Sequence, residues 1–129
     1  MKILVPTAGS PPAKATAEYI SRIAKSLGAE ILVLHIYEGD EPSADGREAV
    51  SVLKRAAESR NIPVMTLVEK GHVVEAIIEV GRREEVSLVV MGASTGKVVD
   101  QWISAEALHK SELPVVVIPH VVTSRENRP

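Results

Sequence analysis

Cysteine and phenylalanine are absent from this 129-residue chain, and aromatic residues make up only 2% of it. Without cysteine the chain can form no disulfide framework, no thiolate metal site and no thiol nucleophile. The core must therefore consist of Val, Ile, Leu and Ala side chains. The three aromatic residues, Tyr19, Tyr37 and Trp102, lie far apart in the sequence and form no obvious platform on which nucleic-acid bases could stack.

Strong net charge and long apolar runs are also lacking. The formal net charge is −2 and the pI about 6.1, so no long-range positive field would hold a phosphate backbone, and nucleic acid is not expected as a partner. The most apolar stretch, residues 113–122, is broken by proline and falls short of the roughly 20 residues that span a bilayer. The first apolar run ends at Pro6 and is too short for a signal-peptide core. We therefore expect a soluble, cytoplasmic protein without a membrane-inserted segment.

Short apolar runs alternate with stretches of helical periodicity along the chain. The runs at residues 3–5, 31–34, 64–68, 88–90 and 115–118 predict strands. Most of them are almost continuously apolar, which is typical of parallel strands covered on both faces. Apolar residues at helical spacing between the runs predict four intervening helices, and Gly28 stands where the C-cap of the first helix belongs.

The predicted order of elements, β-α-β-α-β-α-β-α-β, indicates an α/β fold. Right-handed crossovers place helices on both faces of a five-stranded parallel sheet. The length suits one domain with one core. We assign residues 1–122 to that domain and residues 123–129, TSRENRP, to a polar C-terminal tail.

Two loops are candidates for a ligand site. In open parallel sheets, ligands bind beyond the carboxyl ends of the strands, where neighbouring connections diverge. The segments PTAGS at residues 6–10 and MGASTGK at residues 91–97 follow the first and fourth predicted strands. Their small residues let a ligand approach the backbone, and the helix N-termini that follow favour anions. The alternative is plain turn chemistry, in which Ser10 or Ser94 merely caps a helix.

The common phosphate-binding motifs are absent. The segment GASTGK at residues 92–97 has one residue too few between its glycines for a Walker loop, and Val98 stands where Ser or Thr would bind magnesium. No GxGxxG follows any predicted strand. The sequence therefore excludes both a P-loop and a dinucleotide-binding fingerprint.

Three segments, at residues 2–36, 69–94 and 108–119, together resemble the universal stress protein family along nearly the whole chain. The resemblance implies an adenine-nucleotide α-hydrolase-like (Rossmann-like) fold with strand order 3-2-1-4-5. It also implies a homodimer through the last strand and a regulatory role in the stress response. ATP or AMP is the ligand that the resemblance makes possible, although some members of the family bind neither.

The first loop matches the family only in part. Pro6, Thr7, Gly9 and Ser10 match its turn. Ala8 stands where ATP-binding members carry an acidic residue that would meet the ribose or the adenine. The site therefore lacks one carboxylate.

Further along the chain, Ile36 matches the family position that packs on the base, and Met91 and Gly92 match the start of the signature G-x2-G-x9-G-[ST]. Beyond Gly92 the signature degrades, because Thr95 stands in place of its second glycine and Gly96 comes one residue late. Gly96 is also the last glycine of the chain, so the closing Gly-Ser pair cannot exist.

The closing Gly-Ser pair of the family signature aligns with Gln101 and Trp102. The indole of Trp102 would fill space that phosphates occupy in ATP-binding members. Backbone donors near Ser94, Thr95 and Gly96, with the ammonium of Lys97, could still hold one small anion. We therefore expect weakened or lost ATP binding. The alternative is an ATP or AMP sensor that uses an altered phosphate loop.

Catalytic and metal sites are not predicted. Asp100 is the only acid near the candidate loops in sequence, so no nucleophile, base and orienting group converge, and we expect no enzyme. His35 is interpreted as a satisfied core or strand-end histidine, and His72 as a surface residue at a helix start. The rival hypotheses are a phosphate-handling hydrolase and an interaction domain for a membrane transporter, since the turn without its acid is similar to transporter-associated relatives.

The last strand predicts homodimerisation. An apolar strand at a sheet edge exposes unpaired backbone groups. Antiparallel pairing with a second copy would close that edge by an isologous contact. The expected interface residues are Val115, Val116, Val117 and Ile118. The alternative is a strand shielded by its own short polar tail.

Overall fold

The computed structural model describes residues 1–7, 14–92 and 112–118. In chain order its elements are β1 Lys2–Thr7, α1 Lys14–Leu27, β2 Glu30–Tyr37, α2 Ala44–Glu58, β3 Val64–Lys70, α3 Val73–Arg83, β4 Leu88–Gly92 and β5 Val115–Ile118. The helix predicted between β4 and β5 and the polar tail lie outside the described residues. Within the described ranges, no helix combines the length and the apolar character needed to cross a bilayer.

The five strands form one sheet in the order β3-β2-β1-β4-β5. All recorded pairs are parallel, which confirms the predicted α/β fold and strand order. β3 and β5 are the edge strands, and β1 is central.

The core has two layers, one on each face of the sheet. Ile3, Val5 and Val33 pack with residues of α1 and α2, such as Ile20 and Leu53. On the other face the layer is built from strand residues and α3, namely Leu4, Leu32, Leu34, Val89, Ile77 and Val80. Successive strand residues thus feed opposite layers, which explains why these strands are apolar at almost every position.

Local signals account for the helix ends. α1 ends at Leu27, and Gly28 follows with φ 63°, the left-handed conformation that glycine adopts without steric cost. At the start of α2, the hydroxyl of Ser43 accepts a hydrogen bond from the Gly46 N–H at 3.0 Å. This N-cap satisfies one of the orphan donors of the first turn.

The strands run further toward the site than the sequence predicts. β1 continues through Pro6 and Thr7, which pair with Leu34 and His35 of β2. β4 likewise continues through Met91 and Gly92. Proline lacks an N–H but keeps its carbonyl acceptor, so Pro6 costs β1 one donor near its end and does not stop it. The residues predicted as the start of each loop are therefore the last residues of strands.

Candidate ligand site at the carboxyl end of the sheet

The carboxyl ends of β1 and β4 define the candidate site. The two strands are neighbours in the sheet but not consecutive in the chain, which is the switch point where open α/β sheets bind ligands. Their recorded pairs are Ile3 with Leu88 and Leu4 with Val89. Beyond these pairs, the end of β1 up to Thr7 is held by β2.

The structure brings part of the predicted site together. Pro6, Thr7, Met91 and Gly92 end the two strands at the switch point, and Ile36 lies near the end of β2. The remaining predicted site residues lie outside the described residues. They are Ala8, Gly9, Ser10, Ser94, Thr95, Gly96 and Lys97.

Two of the predicted residues contribute the floor of the site. Ile36 is 3% exposed and Met91 is 1% exposed. Both belong to the core layer that α3 covers. Because both side chains are buried in this core layer, they pack beneath the strand ends and are not exposed at the surface of the site.

A polar pair lies at the same strand ends on the opposite face of the sheet, and the histidine of this pair was missing from the site prediction. Thr7 and His35 are paired across β1 and β2, and both are only 2% exposed. The imidazole Nδ1 lies 3.2 Å from the Thr7 hydroxyl and 3.2 Å from the Thr7 carbonyl oxygen. Among the described residues the buried Nε2 atom has no hydrogen-bond partner. The expectation of a satisfied histidine is therefore confirmed for burial and for Nδ1, but not for Nε2.

The first turn of α2 closes over this imidazole. A Cβ built on Gly46 would lie 2.0 Å from Nε2 of His35 and 2.1 Å from its Cε1, far inside van der Waals contact. Only glycine allows the helix to approach so closely. A histidine within an apolar strand is a visible signal in the sequence, but nothing in the sequence links it to Gly46.

Ion pairs join neighbouring elements at the surface. His72, the N-cap of α3, has its Nδ1 2.9 Å from Glu38 Oε1, and both side chains are well exposed, as expected for a surface histidine. Arg83 donates to Glu69 at 2.7 Å. This hydrogen bond raises the pKa of Arg83 above its ordinary value. The described residues contain no cluster of His, Asp or Glu side chains that could hold a metal ion.

The predicted interface strand borders the site. β5 pairs with β4, and its last pair joins Ile118 to Gly92. Ile118 is 2% exposed, whereas Val116 is 39% exposed. Val115 and Val117 are half-buried. The strand is therefore anchored at its site end and open along its middle.

Comparisons with known proteins agree with this architecture. The family model described as universal stress protein family matches residues 1–119. A universal stress protein of Methanocaldococcus jannaschii is 23% identical over 138 aligned positions, which cover 91% of this chain and 81% of that protein. The solved structure of the Archaeoglobus fulgidus universal stress protein in complex with dAMP has a TM-score of 0.68 at 17% identity, covering 92% of this chain and 97% of that one. An Arabidopsis thaliana family protein with AMP bound has a TM-score of 0.65 at 18% identity, covering 92% and 90%.

Proposed function

This chain belongs to the universal stress protein family, and we propose that it is a stress-response regulatory module that binds an adenine mononucleotide but grips ATP weakly. One observation carries the proposal. The strand ends at the switch point are in place, yet no glycine follows Gly96 to close a polyphosphate loop. We therefore expect the base end of such a site to be better preserved than its far phosphate end.

Support for an adenine ligand comes from the relatives and from the architecture. Solved structures of similar proteins contain cAMP, dAMP and AMP. The floor made by Ile36 and Met91 is apolar and buried, as suits an aromatic base resting near the strand ends. Ala8 in place of the carboxylate of ATP-binding members counts against tight binding of the base or the ribose.

Support for weak ATP binding comes from counting the groups that remain for phosphate. From the sequence we expect backbone donors at residues 94–96 and the ammonium of Lys97 to hold one phosphate group. A second and third phosphate would need further donors, and each buried anion left without donors costs affinity. We therefore expect AMP to bind at least as tightly as ATP.

Calorimetric titration with AMP, ADP and ATP, each with and without magnesium, tests the proposal. The expected result is measurable AMP binding with no gain for ATP. An ATP affinity about tenfold or more above that of AMP, equivalent to about 1.4 kcal/mol, would support the altered-loop ATP sensor instead. Turnover of ATP or of a simple phosphoester by the purified protein would favour the hydrolase hypothesis.

The homodimer is part of the same proposal. Val116 exposes 39% of its surface on an edge strand, and pairing two copies of β5 would cover it. Val116→Lys should shift the protein from dimer to monomer in sedimentation experiments. Val68→Lys is a matched control, because Val68 is 50% exposed on the opposite edge strand. If both variants sediment as the unchanged protein does, the β5 interface is wrong.

A further inference from the structure

We infer that His35 is a positioning residue that fixes the end of β1, from which the first ligand loop leaves, by donating its Nδ1–H to Thr7. This inference rests on the proposed function only for its consequence on nucleotide affinity. Its structural basis is independent of the ligand.

The bonding partners decide which imidazole nitrogen carries the proton. The Thr7 carbonyl oxygen can only accept a hydrogen bond, and it lies 3.2 Å from Nδ1. An unprotonated Nδ1 would set two lone pairs against each other at that distance. On the other side, Nε2 faces Gly46 and has no hydrogen-bond partner among the described residues. A singly protonated ring would therefore carry its proton on Nδ1, shared between the carbonyl and the hydroxyl of Thr7.

This arrangement joins three elements at the ligand end of the sheet. His35 belongs to β2, its hydrogen bonds go to the last residue of β1, and its ring edge meets the first turn of α2 at Gly46. The backbone at Thr7 can therefore shift only if the ring shifts too. The ring itself is confined, because the side chain is 2% exposed.

The arrangement is costly for stability, which argues for a role beyond packing. Nε2 is buried without a partner among the described residues, and such a polar atom carries an uncompensated desolvation penalty. A leucine of similar volume would avoid that penalty. Local features that oppose stability are concentrated at functional positions, and this one adjoins the switch point between β1 and β4.

Two substitutions separate positioning from packing. His35→Leu removes the donor together with the orphaned Nε2, so the fold should persist while the Thr7 carbonyl loses its partner. His35→Asn keeps an N–H donor at the same bond separation from Cβ as Nδ1. Ile31→Ala is the control, because Ile31 is equally buried on the same strand but lies at its opposite end.

The experiment combines AMP titration with nitrogen NMR of the imidazole. We expect Nδ1 in the protonated state and Nε2 in the unprotonated state. We expect His35→Leu to weaken AMP binding by up to about tenfold, the ratio reached if the full free energy of one hydrogen bond holds Thr7 in its binding-competent position, while His35→Asn and Ile31→Ala bind AMP about as tightly as the unchanged protein. Equal losses for the Leu and Asn variants, an unchanged affinity for the Leu variant, or a protonated Nε2 would each overturn the inference.

A failure of the proposed function can be distinguished from a failure of this inference. If the unchanged protein binds no adenine nucleotide, the proposed function fails, and the role of His35 is decided by the imidazole spectrum and by hydrogen exchange at the Thr7 amide. His35→Leu should speed that exchange and His35→Asn should not. Equal exchange in both variants would refute the positioning role.

Discussion

Replacing Gly46 by alanine should destabilise the protein when His35 is present and stabilise it when His35 is replaced by alanine. The new methyl group would lie 2.0 Å from Nε2, and the three atoms nearest to it all belong to the His35 ring. Neither the backbone at residue 46 nor the His35 ring can move away without a loss of stability. Gly46 is part of the first turn of α2, and the ring is held by two contacts to Thr7.

The magnitude follows from two opposing effects. Overpacking a well-filled core typically costs about 1 to 3 kcal/mol, and here it would also displace the imidazole from Thr7. Alanine in place of glycine inside a helix stabilises by about 0.5 to 1 kcal/mol. With the ring removed, only the second effect remains at Gly46. Since the helix effect is the same in both backgrounds, it cancels, and the two substitutions should couple by about 1 to 3 kcal/mol, the overpacking cost alone.

Urea unfolding of the unchanged protein, the two single variants and the double variant measures this coupling. The slope of the free energy of unfolding against urea should stay the same, so that differences appear in the midpoint. Gly39→Ala is the control, because a Cβ there would meet no atom within 4 Å. If Gly46→Ala has the same effect in both backgrounds, the imidazole does not set the identity of residue 46 and the contact described above is wrong.

Two further stability predictions concern the helix ends. Glu85 follows α3 with φ 54°, where a side chain is strained, so Glu85→Gly should raise the free energy of unfolding by about 1 kcal/mol. Gly28 has φ 63°, so Gly28→Ala should lower it by about 1 kcal/mol. Changes of the same sign for both variants in urea unfolding would contradict this reasoning. Ser43→Ala removes the acceptor of the Gly46 N–H and should cost about 1 kcal/mol, with Ser43→Asp restoring most of the loss; an unchanged midpoint for the alanine variant would show that this N-cap contributes nothing.

The candidate site was predictable where it depends on the order of strands. A parallel α/β sheet has its switch point where the strand order reverses, and the order 3-2-1-4-5 that the family resemblance implies puts it between the ends of the first and fourth strands. The residues that begin those loops were less well predicted. Pro6 was interpreted as a strand terminator, yet it lies inside β1 and pairs with Leu34 of β2. The pairing with β2 stabilises this part of β1 by more than the loss of one backbone N–H donor destabilises it.

Contacts between distant parts of the chain were not predictable. His35 could be identified as buried from its apolar neighbours, but its partner Thr7 and its covering residue Gly46 come from other elements. Glycine near the start of α2 fits a loop or a weak helix start equally well when the sequence is considered alone. The absence of a methyl group at residue 46 acquires a reason only when α2 lies against β2.

The sequence by itself determined the α/β class, the alternation of strands and helices, and the end of α1 at Gly28, because periodicity and backbone preference act over a few residues. Only the tertiary structure decided which face of β2 carries a buried imidazole, which nitrogen bonds to Thr7 and which helix turn covers the ring. These features depend on how separate elements pack against one another, and close packing at the sub-ångström level is a property of the assembled core.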